Sequence, residues 1–351
     1  MTNQASIEHA ILGAGMAAAQ GASATRRHKR VAMFWKQFSL NSVTPLVMRS
    51  TAHLLSSVLA LAFTAHAAPR AEHVFIVSID GAKPAVVAEA ETPTLKKMAA
   101  EGAVTWQAST IFPSFTLPSH TSMLTGLGPE KHQVLWNAFT PIRGPVRAPT
   151  VFSLLKAAQP EAVTAMFVGK IKFRHLWLKD TLDVFDFGGP QTTAPVAGSP
   201  EIEKDKKPSQ MVAKQAAPWI KEHKPRLCFI HFADVDTVGH QDGWGSPQQK
   251  EALKVTDQAL WQVWQAIKEA GIADSSVMII SADHGGHDKT HGLNTPDDMI
   301  IPWVVWGKGV KKNFAITDPV TTYDTAATAL WLLDVPLPAE FDGRPVISAF
   351  E

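Results

Sequence analysis

The sequence predicts an α/β fold in which a largely parallel central sheet carries helices on both faces. Two observations predict it. From residue 68 onward, short apolar runs alternate with amphipathic stretches, as βα units packed on such a sheet require. Polar, metal-ligating residues follow directly on several of those runs, at the strand ends where open α/β sheets bind their ligands. The runs 74–79, 163–168, 227–232, 277–281 and 303–306 are read as strands. Helical spacing is clearest over 92–101, 209–222, 248–270 and 325–333. Between 130 and 225 prolines and turn residues accumulate, and the tract GGPQTTAPVAGSPEIEKDKKPSQ lacks sustained periodicity. That region is read as a surface excursion or cap.

A chain of 351 residues, with 45% hydrophobic and 19% charged residues, can bury a large core, and 68–351 is expected to form a single catalytic-sized domain. The formal net charge of +1 offers no broad field for gripping polymeric nucleic acid or an anionic membrane. The single cysteine, Cys228, excludes an intrachain disulfide framework and leaves the redox compartment open.

The segment MRSTAHLLSSVLALAFTAHAAPRA, from Met48, has one early basic residue, an apolar stretch over 54–63 and the small-x-small triplet Ala65-His66-Ala67. This is the form of a secretory signal peptide over 48–67, with cleavage expected after Ala67. Its apolar run is too short for a comfortable membrane span, so no stable span is expected after processing. Residues 1–47 precede a signal that belongs at an N-terminus. They are read as a non-native or unstructured extension, with translation beginning at Met48. The Arg26-Arg27 pair lacks the flanks of a twin-arginine signal. A periplasmic or secreted protein is expected.

Four distant segments carry the chemistry. Asp80 ends the first apolar run and precedes Gly81. Thr116 lies in FPSFTLPSH, just before a helix start expected at Pro118. Asp236 and His240 form a D-x-x-x-H element after CFIHFA, with Gly239 allowing a bend that turns both side chains to one ion. Asp283 and His284 follow VMIISA, with His287 and His291 crowding the same loop. Adjacent Asp and His at the end of an apolar strand are costly to bury unless paired or metal-bound. Carboxylates and imidazoles are ordinary zinc donors. Two divalent ions about 4 Å apart hold a phosphate between them, activate an oxygen nucleophile and neutralise a leaving oxygen.

These residues carry a family resemblance that extends through nearly all of 73–347. The sequence resembles the type I phosphodiesterase/nucleotide pyrophosphatase family of the alkaline phosphatase superfamily. VFIVSIDG looks like the family's opening strand and aspartate, and Thr116-Leu117-Pro118-Ser119-His120 is similar to its T-F-P-N-H nucleophile segment. Asp236-Thr237-Val238-Gly239-His240 matches its D-x-x-G-H, and Ala282-Asp283-His284-Gly285 its S/A-D-H-G. Thr290-His291-Gly292 resembles its later histidine, and TTYDTAATALWLLDVPLPAEFDGRPV its closing helix and turn.

The resemblance implies an alkaline-phosphatase-like fold and two Zn2+ ions, with other divalent metals possible. One ion is held by Asp236, His240 and His291, the other by Asp80, Thr116, Asp283 and His284. It implies that Thr116 attacks phosphorus in line and forms a phosphothreonine. Asn137, closing GPEKHQVLWN, looks like the family's phosphate-binding asparagine, and Lys170 and Lys172 in FVGKIKF are further candidate phosphate contacts. The expected partner is a small phosphorylated substrate, a nucleotide or another phosphodiester.

Three alternatives are set beside this one. A sulfatase needs Cys or Ser in a C/S-x-P-x-R setting, which TLPSH does not provide. A phosphomonoesterase or phosphonate hydrolase commonly recruits strong positive groups, and no arginine lies within 111–126. A periplasmic binding protein for phosphorylated ligands predicts a lost nucleophile or ligand, whereas every expected position is filled by a competent residue.

Overall fold

A computed structural model describes residues 70–187 and 206–351, which belong to one unit spanning 68–351. The expected extension and signal segment, and the 188–205 part of the irregular tract, lie outside the described residues.

The core is an eight-stranded sheet of β1 (His73–Ile79), β2 (Ala103–Ser109), β3 (Thr164–Val168), β4 (Val184–Asp186), β5 (Leu227–Phe232), β6 (Ser276–Ser281), β7 (Ile300–Gly307) and β8 (Phe314–Ala315), in the order β4-β3-β5-β1-β6-β7-β2-β8. The β4–β3, β3–β5, β5–β1, β1–β6 and β2–β8 pairs are parallel; β6–β7 and β7–β2 are antiparallel. All residues of β3, β5 and β6 are buried, and this is why they read as predominantly apolar runs rather than as alternating ones. β2 escapes the sequence reading for the opposite reason: AVTWQAS has no clean alternation, and its register slips between Thr105 and Ala108.

Helices of eight residues or more are α1 (Pro93–Glu101), α2 (Thr116–Thr125), α3 (Val151–Ala158), α4 (Ser209–His223), α5 (Asp234–Asp242), α6 (Pro247–Glu269) and α7 (Asp324–Leu332). They form two groups on the two faces of the sheet: α1, α4 and α5 pack on α6, whereas α2 and α3 pack on α7. α6 begins cleanly because the Ser246 hydroxyl accepts the Gln249 amide and Pro247 needs no partner in the first turn. Much of the expected excursion is regular structure: α3, β3, the half-buried edge strand β4 and α4 all fall within 130–225.

Two local expectations are corrected. α2 begins at Thr116 itself, with Pro118 inside its first turn, where a missing N–H costs nothing. Asp236 and His240 do not sit on a bent loop. They occupy helix α5, where four-residue spacing brings both onto one face. Among the described residues, no helix is long and apolar enough to cross a membrane.

Candidate two-metal active site

The carboxyl ends of the neighbouring parallel strands β3, β5, β1 and β6 meet on one edge of the sheet. Asp80 follows β1, Lys170 lies just past β3, α5 with Asp236 and His240 follows β5, and Asp283-His284 lies just past β6. The registers Ile79↔Phe232 and Ser78↔Ser281 bring these ends level. Asp80, Thr116, Asp236, Asp283, His284 and His291 are all buried, so the charges converge out of water.

Two donor groups result. Ligand atoms of Asp80, Asp283 and His284 lie within 4.8 Å of one another, and so do those of Asp236, His240 and His291. Each histidine is pre-aimed through its outer nitrogen. Nδ1 of His284, His291 and His240 lies 2.8, 2.9 and 2.9 Å from the carbonyl oxygens of Gly285, Ser114 and Lys289. Donation there makes each Nε2 the lone-pair nitrogen. The Nε2 atoms of His291 and His240 stand 3.4 and 3.3 Å from Asp236 Oδ1, and that of His284 stands 3.2 Å from Asp283 Oδ2 and 3.4 Å from Asp80 Oδ1. His287 is diverted elsewhere, its Nδ1 2.7 Å from Asp298 Oδ1.

The oxygens that do not face these nitrogens are already engaged. Lys170 Nζ reaches Asp80 Oδ2 at 2.7 Å and Asp236 Oδ2 at 2.6 Å, one carboxylate from each group, and Thr116 Oγ1 at 3.5 Å. His231 Nε2 donates to Asp80 Oδ2 at 2.8 Å, and the Gly81 amide donates to Asp283 Oδ1 at 3.0 Å. What remains is a set of buried atoms without any hydrogen-bond partner: Asp80 Oδ1, Asp236 Oδ1, Asp283 Oδ2 and His284 Nε2. Buried orphan acceptors from three carboxylates and an imidazole are costly unless cations satisfy them. The donors suit zinc, which takes nitrogen and carboxylate ligands.

The electrostatics agree. Burial raises the Asp80 and Asp236 carboxyls, but Lys170 acting with His231 at Asp80, and with His240 and His291 at Asp236, outweighs it and holds both well below the usual range. Burial and the charge of Asp80 push Asp283 well up, so the cluster resists a third negative charge in the absence of an added cation. Burial lowers His284 and His291, keeping them neutral and competent to ligate, whereas Asp236 overcomes burial and raises His240. Lys170, despite burial, is raised by Asp236 and Asp80 and remains an ammonium.

Thr116 opens α2 beside this cluster. The next amide, Leu117 N–H, donates to Asn137 Oδ1 at 3.0 Å, and Lys172 Nζ donates to the same oxygen at 3.0 Å. With Oδ1 held by two donors, the Asn137 amide nitrogen keeps its hydrogens, and no hydrogen bond among the described residues engages them. Lys172 is lowered to about 8 by burial and by Lys170. Ser119, which stands where the resembled motif has Asn, ties α2 to the Asp283 carbonyl at 2.6 Å.

Sequence reasoning missed His120, His231, Ser78 and Trp244. His120 Nδ1 lies 2.7 Å from the Thr116 carbonyl and its Nε2 2.7 Å from Ser78 Oγ, which braces the first turn of α2 against β1. A histidine inside the otherwise apolar run CFIHFA was the available signal for His231.

A profile of type I phosphodiesterase / nucleotide pyrophosphatase matches residues 74–299, which includes every one of these side chains. The chain belongs to this family. Rat ectonucleotide pyrophosphatase/phosphodiesterase family member 7 is 26% identical over 218 residues, which cover 60% of this chain and 49% of the relative. The chain therefore spans about half the length of that curated relative. Among solved structures, murine member 5, an inactive threonine-to-alanine variant in complex with AMP, superposes with a TM-score of 0.61 at 15% identity, covering 80% of this chain and all of that one. The alkaline phosphatase PafA superposes with a TM-score of 0.64 at 13% identity, covering 82% and 100%. The fold is alkaline-phosphatase-like, and the phosphodiesterase/nucleotide pyrophosphatase family to which the chain belongs is hydrolytic.

Proposed function

We propose that this protein is a two-zinc hydrolase of phosphodiester or nucleotide pyrophosphate bonds, working through a phosphothreonine on Thr116. One observation carries the reading: a buried threonine hydroxyl at a helix start shares the Lys170 ammonium with one carboxylate from each of two donor groups. Asp236, His240 and His291 would hold one zinc; Asp80, Asp283, His284 and the Thr116 oxygen the other. When bound, the pair supplies the charge that lowers the pKa of the threonine hydroxyl and neutralises the leaving oxygen.

The Thr116 hydroxyl releases its proton to solvent, and its oxygen forms a bond to phosphorus as the bond to the leaving oxygen breaks and that oxygen departs with the electron pair. Water then attacks phosphorus, the Thr116–phosphorus linkage breaks, and the threonine regains its proton. Asn137 donates its free amide hydrogens to a phosphoryl oxygen, held in that orientation by Leu117 and Lys172. Lys170 keeps both donor groups in register and offsets their negative charge. AMP in the murine relative, and the inactivity of its threonine variant, support a nucleotide substrate and a threonine nucleophile here. The signal-like segment 48–67 supports export to the periplasm or beyond.

A second reading, phosphomonoesterase or phosphonate hydrolase, is favoured by one observation: two lysines, not one, enter the site, and extra positive charge suits a phosphoryl group bearing extra negative charge. The deciding experiment is a panel of nucleotide pyrophosphates, nucleotide and lipid diesters, and monoesters assayed with purified, zinc-loaded protein. A higher kcat/KM for an activated aryl diester than for the matched monoester supports the first reading; the reverse order supports the second.

A further inference from the structure

The ring of Trp244 is seated among three glycines from three different ligand-bearing segments. A Cβ on Gly286 would come within 2.2 Å of the indole, one on Gly239 within 2.9 Å and one on Gly81 within 3.2 Å. These glycines lie within two residues of His284, His240 and Asp80 respectively. The seat is also hydrogen-bonded: Nε1–H donates to the Gly81 carbonyl at 3.0 Å, and the Trp244 amide donates to the Asp288 carbonyl at 2.7 Å. The indole then meets the rings of His240 and His291 edge-on, with centroids 5.4 and 5.8 Å away.

Those two imidazoles belong to the same donor group. His240 comes from α5 and His291 from the loop beyond β6, and nothing in the covalent chain fixes their separation. Trp244 touches both rings and hydrogen-bonds the loop that carries His291, so together with the His240 Nδ1 contact to the Lys289 carbonyl it holds the two Nε2 atoms at their separation. His284, in the other group, is instead stacked on His291 at 3.6 Å and fixed through its own Gly285 contact. A side chain that packs against ligand rings tunes metal affinity without binding the ion.

We propose that Trp244 is a positioning residue for the Asp236–His240–His291 metal group, selectively maintaining its affinity for zinc. The inference rests on the two-metal reading above. The bare glycine surfaces are the complement of the indole: each removes a side chain so that one flat ring can lie against helix α5 and two loops at once.

The test is zinc binding to the full protein by competition with a chromogenic chelator, together with bound-metal analysis at limiting zinc, for the wild type, Trp244→Ala, Trp244→Phe and Gly286→Ala. Trp244→Ala is expected to retain one tight zinc and to bind the other at least about tenfold more weakly. Trp244→Phe, which keeps an aromatic face against both histidines, should recover most of that loss. Gly286→Ala leaves the tryptophan in the chain but drives its ring off the seat, and should reproduce the Ala phenotype should Trp244→Ala fail to fold. Two zincs bound at wild-type affinity in either Trp244→Ala or Gly286→Ala overturn the proposal, as does equal weakening of both. A wild type that binds fewer than two zincs refutes the two-metal reading and this inference with it.

Discussion

His231 Nε2 donates to Asp80 Oδ2 at 2.8 Å while its Nδ1 accepts the Gly169 amide at 3.3 Å, so the strand fixes the tautomer and the histidine fixes the carboxylate. Asp80 Oδ1 is thereby left as the unsatisfied atom facing His284. Removing the donor with His231→Phe is expected to weaken zinc at the Asp80–Asp283–His284 group by about 10- to 100-fold. His231→Gln, which restores an N–H donor, should recover part of it. Chelator competition measures both, and unchanged affinity in the Phe variant would contradict this role.

The loop HGGHDKTHG separates a ligand from a near neighbour. His291 presents Nε2 to Asp236, whereas His287 is spent on Asp298. His291→Ala should lose one zinc at limiting metal, and His287→Ala should keep two with a smaller effect on turnover. Loss of zinc only from the His287 variant would reverse the assignment.

Acid stability is predicted to depend on His132. It is buried, donates Nε2–H to Ser122 Oγ and accepts the Val134 amide on Nδ1, and burial lowers it from 6.5 to about 4. The unfolded chain therefore binds its proton first as pH falls, so stability is lost between about pH 6.5 and pH 4 and is intact above. That interval is worth about 3 kcal/mol. Denaturant unfolding of the wild type and His132→Gln at pH 7 and pH 4 should show their stability difference shrinking by about this amount. A pH-independent difference would show that His132 contributes nothing to acid sensitivity.

Protein exported by a host cell is expected to begin at or near Ala68. N-terminal sequencing that finds Met1 on exported material would contradict the signal assignment.

The sheet centre was legible because its strands are buried on both faces, so β1, β5 and β6 appear as predominantly apolar runs with Asp80, Asp236 and Asp283 close behind. Helix α5 was not. Its sequence DVDTVGHQD has weak intrinsic helix preference and a glycine in its interior, and packing against α6 and the Trp244 ring overrides that preference. Lys170 was visible as a cation beside a strand, but its grip on Asp80 and Asp236 depends on β3, β5 and β1 lying side by side, an order no local pattern encodes. For the same reason Ser78, His120 and Trp244 carried no sequence signal for their roles: each acts across contacts between segments more than 40 residues apart.

Thr116 is expected to carry the phosphoryl group during turnover. The direct measurement is acid quenching of zinc-loaded protein during turnover of an activated phosphodiester, followed by mass analysis of the peptide containing Thr116. A substrate-derived phosphoryl adduct on Thr116 is predicted. Thr116→Ala should lack the adduct, keep the fold and most of the zinc, and lose about a thousandfold or more in kcat. Near-normal turnover by folded Thr116→Ala would contradict the mechanism.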